Sequence, residues 1–384
     1  MKRKDITKIK DIVISERKRF CRIFIEENLL EKSEFIDFCG KQGENFVVIC
    51  DNKIKNFGRN IFLSLQKRKK KVFFLAISSG EKNKTRKMKE EIEDKLFSNK
   101  CDKNTCLIAI GGGTTLDLLL FVASTFLRGI ACILVPTTLL AIVDAGIGGK
   151  CGVNTIYGKN LIGTTCMPQG VAIDKKSLET IPEIEWKIGF VEMIKHALIG
   201  KRKDFIYFEK YLNDKESIFQ KPSFFDKVVD SIKIKKKIIE KDFFDKKERN
   251  YLNFGHTFAH AIERAEDFSL SHGLAVAIGI VGESYLSYKS GFLPQKEFLR
   301  IVSLIEKLKL SYLLKKGKKK KIKEALFFDK KNKKNQPYFV LLKAIGQPYR
   351  GKEKKCTFSV KEVFIDEAID YMIKIFSKNE SKSF

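Results

Sequence analysis

The chain holds only four histidines in 384 residues, and three of them, His256, His260 and His272, fall in one short window running from LNFGHTFAH to SHG. Imidazole is the commonest neutral metal ligand and the usual proton carrier near pH 7, so a cluster in a histidine-poor chain marks one chemical site. His256 and His260 stand at i and i+4, which places both on one face of a helix. A carboxylate for that site stands upstream. In FVEMIKHA, residues 190–197, Glu192, Lys195 and His196 interrupt an otherwise apolar helical run. Glu192 and Lys195, at i and i+3, suit an internal ion pair. Glu192 with His256 and His272 also makes the two-histidine, one-carboxylate set of a catalytic Zn²⁺ site, which leaves a coordination position for a substrate oxygen. Such ligands converge from different helices, so separation along the chain is no obstacle.

Two other stretches suit an anionic ligand. A β-branched run at residues 105–110 leads into Gly111, Gly112, Gly113, Thr114 and Thr115, with Asp117 at the start of a predicted helix. Three glycines let the backbone turn sharply and approach a phosphate, and the helix N-terminus offers free N–H groups and partial positive charge. The motif reads as a pyrophosphate cradle, although its spacing is not GxGxxG. Residues 135–163, VPTTLLAIVDAGIGGKCGVNTIYGKNLIG, set Thr137, Thr138, Asp144, Lys150, Lys159 and Asn160 among glycines that permit tight loops. Polar groups in so apolar a run cost free energy unless they find partners. A loop of lysine, asparagine and aspartate at the mouth of a sheet fits an anionic, hydroxylated ligand. Both lysines directly follow glycine, in GGK and GK, which a merely solvated loop does not require.

The elements that must carry these groups differ between the two halves. Short β-branched runs at 46–50, 71–76, 106–110, 132–135 and 171–173 alternate with helical stretches. That alternation predicts a parallel sheet with crossover helices. Beyond residue 180 the segments 185–199, 225–239, 258–266, 274–290, 295–308 and 361–376 have helical periodicity, with 338–342 as the main strand candidate. A chain of 384 residues exceeds the roughly 250–300 at which single cores usually split. The expected fold is an α/β N-terminal domain over residues 1–180 and a mainly α-helical domain over 181–384.

The formal net charge of +28 is spread along the chain, in KRKKK, KIKKK and KKGKKKKIK, and mixed with acids and apolar residues. Dispersed lysine fits solvated faces and anionic small substrates. No basic motif interleaved with aromatics appears, so nucleic acid is not an expected partner. Nine cysteines without a CxxC pair suit reduced thiols in a cytoplasmic protein. The N-terminus is too charged for a signal peptide, and no uncharged stretch approaches the roughly 20 apolar residues of a membrane helix, so no membrane partner is expected.

Taken in order, GGGTTLD (111–117), RGI (128–130), VPTTLLA (135–141), GGK (148–150), GKNLIG (158–163), IPE with EMIKHALI (181–199), LNFGHT with HAIE (252–263), SHG (271–273), AVAIG (275–279) and DKK (329–331) resemble the 3-dehydroquinate synthases. The resemblance spans most of residues 79–345 and implies a Rossmann-like NAD domain followed by a helical metal domain. It implies an NAD- and Zn²⁺- (or Co²⁺-) dependent carbon–oxygen lyase of the shikimate pathway, usually a homodimer, acting on a sugar acid phosphate. Its metal ligands match Glu192, His256 and His272, while His260 matches a contact to the substrate phosphate. Substrate-binding positions match Asp144, Lys150, Asn160, Lys195, Lys235, Arg249 and Asn253, with Arg128 reaching in from a second subunit. Lys330, beside Lys331, matches a further phosphate-binding lysine. Cofactor positions fall at Gly112, Gly113, Thr114, Asp117, Thr137, Thr138 and Lys159. Further cofactor positions are Thr180, Glu185, Glu81, Lys84 and, near the ribose, Asp51.

Some positions depart from the family pattern. Leu274 stands where Glu usually follows the HG pair, which puts an outer partner of the metal site in doubt. Leu116 and Leu120 replace glycines, Phe243 stands where an acid is common, and His196 where tyrosine is. None removes a ligand. The competing expectations are a related sugar phosphate cyclase making an aminocyclitol precursor, and a glycerol-dehydrogenase-like oxidoreductase that would need no cluster of anion-binding residues.

Overall fold

The computed structural model describes residues 10–16, 19–212, 217–310, 312–327, 336–352 and 355–377. The chain divides into two compact units, Met1–Pro182 and Glu183–Phe384. Lys330 and Lys331 lie outside the described residues.

The first unit is built on a seven-stranded sheet. Its strands are β1 (Lys10–Glu16), β2 (Arg19–Glu26), β3 (Asn45–Asp51), β4 (Lys71–Ile77), β5 (Thr105–Gly111), β6 (Ala131–Pro136) and β9 (Gly170–Asp174), in the order β1-β2-β9-β6-β5-β3-β4. Helices α1 (Ser33–Gly40), α2 (Lys55–Lys67), α3 (Arg86–Ser98) and α4 (Gly113–Thr125) make the crossovers. β5 and β9 are buried along their whole length, as apolar runs covered on both faces must be. All five strands expected from the sequence form, and the pairs among them are parallel.

The sheet is not wholly parallel, because β1 pairs antiparallel with β2, which then runs parallel to β9. No strand is expected there from the sequence, because Arg19, Arg22 and Glu26 interrupt the apolar run of RFCRIFIE without a regular alternation. A second difference concerns residues 150–165, read as loop, which form the antiparallel hairpin β7 (Lys150–Thr155) and β8 (Gly158–Thr165). Gly152 faces Gly163 across it, and a Cβ on Gly163 would stand 2.1 Å from the Cys151 carbonyl oxygen. The glycines that suggested a loop are there for close strand approach. Leu116 and Leu120, the two departures on α4, are buried in the core.

The second unit consists of α5 (Glu183–Gly200), α6 (Arg202–Tyr211), α7 (Pro222–Lys241), α8 (His256–Ala265), α9 (His272–Lys289), α10 (Gln295–Lys307), α11 (Lys319–Phe327) and α12 (Glu362–Phe376). α5 and α9 are buried over most of their length, which makes them the core of the unit. The expected strand at 338–342 is reduced to a bridge between Phe339 and Phe358 and to β10 (Leu342–Ala344), paired with β11 (Gln347–Pro348). No helix among the described residues is long and apolar enough to cross a membrane.

Candidate active site

In the second unit, three elements converge on one carboxylate. Glu192 on α5 is 0% exposed. Its Oε2 lies 2.5 Å from the Lys195 Nζ, outside hydrogen-bond alignment, and neither carboxylate oxygen has a hydrogen-bond partner among the described residues. Two imidazoles face the other oxygen: Nε2 of His256 is 3.6 Å and Nε2 of His272 4.0 Å from Oε1. One donor atom from each of the three residues falls within 4.8 Å of the others. A buried carboxylate without hydrogen bonds is costly. Two imidazoles and a carboxylate are the donor set of a catalytic Zn²⁺ site, so these three residues would fit a Zn²⁺-like ion.

The local structure explains the convergence. His256 and His272 are each the first residue of their helices, α8 and α9. Gly255 before α8 has φ 82°, a left-handed conformation that favours glycine. A Cβ on Gly273 would meet the Ile188 side chain at 2.5 Å, so α9 meets α5 closely beside His272. The Nδ1 of His256 lies 3.2 Å from the Phe254 carbonyl oxygen. That carbonyl can only accept, so Nδ1 carries the proton and Nε2 keeps its lone pair toward Glu192. The Nδ1 of His272 lies 3.6 Å from Oε1 of the buried Glu263. Glu263 thus stands in the outer position that Leu274, half-buried on α9, does not supply. His260, Glu263 and His272 also have donor atoms within 4.8 Å of one another.

Cationic groups of the same unit are unusually sheltered. Lys195, Lys235 and Arg249 are all buried. Arg249 donates from Nη1 to the Phe243 carbonyl at 2.5 Å and stacks near the Phe243 ring, with Cζ 6.0 Å from its centroid. Phe243 therefore holds the guanidinium by its backbone and its ring. The Asp242 carboxylate accepts the amides of Lys246, Lys247 and Arg249 at 2.9, 2.5 and 3.1 Å, which fixes the loop before the short helix Glu248–Asn253. Asn253 donates weakly to the Asn250 side chain at 3.4 Å. His196 pairs with the Ser231 hydroxyl at 2.7 Å, His260 is exposed, and Glu185 is half-buried in the first turn of α5.

In the first unit, the glycine motif is a strand-to-helix turn. β5 ends at Gly111, Gly112 is the N-cap of α4, and no side chain caps the helix. A Cβ on Gly113 would stand 2.9 Å from the Ala145 Cβ, so only glycine fits. Thr137 donates its N–H to the Gly111 carbonyl at 3.0 Å, and Thr138 accepts from the Ala141 amide at 3.2 Å. Chain order reverses between β3 and β5, and ligands of such sheets bind at that switch point beyond the strand carboxyl ends. Asp51 stands there at the end of β3, accepting from the Lys53 amide at 2.9 Å and from the Ser79 hydroxyl. Uncapped helix amides, glycines with no room for a Cβ and a carboxylate across the switch point fit a dinucleotide.

Beside the cradle, residues assigned to separate ligands form one polar network. The buried Lys84 ammonium lies 2.5 Å from Asp117 Oδ2 and 2.5 Å from Asn160 Oδ1. Burial raises the Asp117 carboxyl above its usual range, and Lys84 opposes the rise. Asn154 links the parts: its side chain donates to Glu81 Oε1 at 2.7 Å and accepts the Asn160 amide at 3.0 Å. Asn160 has φ 54°, tolerable for asparagine. Lys159 is half-buried on β8, Lys150 is exposed at the base of the hairpin, and Asp144 lies in the π-helical turn Ala141–Ala145. Thr180 is exposed, as is Arg128, which sits in three consecutive left-handed residues: Leu127 at φ 48°, Arg128 at 67° and Gly129 at 113°.

Comparison with known proteins settles the kinship. Residues 74–188 match the family "3-dehydroquinate synthase N-terminal" and residues 189–332 match "3-dehydroquinate synthase C-terminal". The chain is 38% identical over 329 residues to a 3-dehydroquinate synthase of Campylobacter hominis, covering 85% of this chain and 92% of that one. The chain belongs to the 3-dehydroquinate synthase family. A Pelagibacter ubique 3-dehydroquinate synthase is 39% identical over 85% of this chain and 90% of its own. Like other 3-dehydroquinate synthases, it is an enzyme of phosphate elimination and ring closure. A solved structure of 2-deoxy-scyllo-inosose synthase complexed with carbaglucose-6-phosphate, NAD⁺ and Co²⁺ superposes with a TM-score of 0.83 at 25% identity, over 94% of this chain and 99% of that one.

Three polar residues of the two half-sites escaped the sequence reading. Asn154, Glu263 and Glu283 each hold a residue singled out for chemistry, or the helix that bears it. Asn154 carried a faint signal as a second asparagine before GKN. Glu263 carried none, since an acid on an amphipathic helix is ordinarily solvated, whereas Glu283 is the lone acid of the apolar α9 sequence.

Proposed function

We propose that this chain converts 3-deoxy-D-arabino-heptulosonate 7-phosphate to 3-dehydroquinate and phosphate with NAD and a divalent cation, Zn²⁺ or Co²⁺. The observation that carries the metal part is the buried Glu192 carboxylate, ion-paired with Lys195, without a hydrogen bond among the described residues and faced by two imidazole Nε2 atoms. In this reading Glu192, His256 and His272 hold the cation, and Gly112, Gly113, Thr114, Asp117 and the Lys84 network hold the dinucleotide. When bound, NAD⁺ supplies a hydride acceptor that returns its hydride within each turnover, and the cation acidifies the hydroxyl to be oxidised.

The chain's own residues bind and orient. Lys150, Lys235, Arg249, His260 and Lys330, joined in a homodimer by Arg128 of the partner subunit, neutralise the substrate phosphate and carboxylate by charge-assisted hydrogen bonds. Asp144, Asn160, Lys195 and Asn253 hold its hydroxyls in one orientation. The departing phosphate can accept the proton lost in elimination, which fits a site rich in cations. The free thiols fit a cytoplasmic enzyme.

A second sugar phosphate cyclase reading is supported by the superposition on 2-deoxy-scyllo-inosose synthase. Product analysis decides between them. Phosphate and 3-dehydroquinate from the heptulosonate phosphate with NAD and Zn²⁺ are expected. Cyclitol from sedoheptulose 7-phosphate or glucose 6-phosphate, with no turnover of the heptulosonate, would select the alternative.

A further inference from the structure

α9 builds the seat of α8. A Cβ on Gly279 would stand 1.9 Å from the Gly255 carbonyl oxygen, so the two backbones touch at that point. One turn further along α9, Glu283 is 0% exposed. Its Oε1 accepts the Thr257 N–H at 3.1 Å, while its Oε2 has no hydrogen-bond partner among the described residues. Burial pushes this carboxyl up to about 8, and the amides of Gly255, Thr257, Val340 and Phe258 oppose the rise. Those four amides include the first turn of α8. Gly255, its N-cap, has no side chain to satisfy them. Thr257 also donates its hydroxyl to the Tyr338 carbonyl at 2.9 Å, which ties the same turn to the segment bearing Val340.

A carboxylate in so apolar a place is unfavourable, so the amides it caps are the chemistry that its position serves. His256, the first residue of α8, belongs to that turn. We propose that Glu283 is a positioning residue of the metal centre: by accepting the Thr257 N–H in the first turn of α8 it holds the His256 imidazole at the spacing from Glu192 and His272 that a divalent cation requires. Glu283 touches neither cation nor substrate. Its effect passes through the backbone of residues 255–258, where an unclamped first turn frays and the imidazole moves with it. The inference rests on the assignment of Glu192, His256 and His272 as ligands.

The test uses the full chain, stripped of metal and titrated with Co²⁺, whose visible absorption band reports coordination. NAD binding and far-ultraviolet circular dichroism monitor the fold. Glu283→Gln keeps an acceptor at Oε1 and puts its amide at the unpartnered Oε2, so it should bind Co²⁺ as the wild type does, with the same band. Glu283→Ala should retain NAD binding while losing Co²⁺ affinity roughly 10- to 100-fold, the scale of an outer-sphere change, with an altered band. Wild-type affinity and band in a folded Glu283→Ala would overturn the proposal, and so would a Glu283→Gln as impaired as Glu283→Ala. If Glu283→Ala does not fold, Glu283→Asp, which withdraws the carboxylate by one methylene, decides: weakened Co²⁺ binding supports the clamp and wild-type binding overturns it. A His256→Ala chain that binds Co²⁺ normally would instead remove the metal-site reading itself.

Discussion

The Nδ1 of His272 lies 3.6 Å from Oε1 of Glu263, a buried carboxylate on the neighbouring helix. A carboxylate behind an imidazole fixes its tautomer and raises the basicity of the outward nitrogen, here the Nε2 facing Glu192. Glu263→Gln should therefore lower metal affinity by roughly 10- to 100-fold while leaving NAD affinity unchanged. Equilibrium dialysis against Zn²⁺ reads this directly, and wild-type affinity would show that His272 needs no such partner.

The two assigned histidine ligands and the exposed Lys150 should separate cleanly by readout. His256→Ala and His272→Ala lose bound metal and activity together. Lys150→Ala keeps metal and NAD yet turns over poorly. Losing one charge-assisted hydrogen bond costs about 1.5–3 kcal/mol, roughly 10- to 150-fold in kcat/KM. Metal analysis of the purified variants distinguishes the roles, and equal metal loss in all three would contradict them.

Lys84, Asp117 and Asn160 act as a unit, with the ammonium 2.5 Å from both oxygens. Lys84→Met and Asp117→Asn should each weaken NAD binding, and the double variant should lose less than the sum. Coupling of about 0.5–3 kcal/mol is the scale for contacting groups. Calorimetric titration with NAD measures the cycle, and strict additivity would mean that the pair is incidental.

Glu283 also predicts a pH dependence of stability. Burial raises its folded value from 4.5 to about 8. Below 4.5 the group is protonated in both states; as pH rises toward 8 the unfolded chain ionises first, so the stability held at low pH is progressively lost. Glu283→Gln removes that titration. Its melting temperature relative to the wild type should climb between pH 5 and 8, and a constant difference would contradict the shift.

Much of this was readable along the chain. The parallel strands at the centre of the sheet announce themselves because strands covered on both faces must be apolar throughout, and 106–110 or 171–173 have no other use for such runs. Helices α5 and α9 were legible by length and periodicity. The β7–β8 hairpin was not, because Gly152 and Gly163 are glycines for close strand contact and not for looping. Nor was β1–β2, whose alternation is broken up by charge.

Sequence by itself determined the inventory of the chemistry: which imidazoles, carboxylates, lysines and glycines are present, in an order specific enough to name a family. Tertiary structure alone decided which acids lose their water. Nothing in the sequence says that Glu263 faces an imidazole or that Glu283 accepts a helix amide, but the packing of α8 and α9 seals them where they do. A carboxylate's affinity for a cation, an imidazole or a row of amides depends on the solvent it has lost, and that loss is set by neighbours distant along the chain.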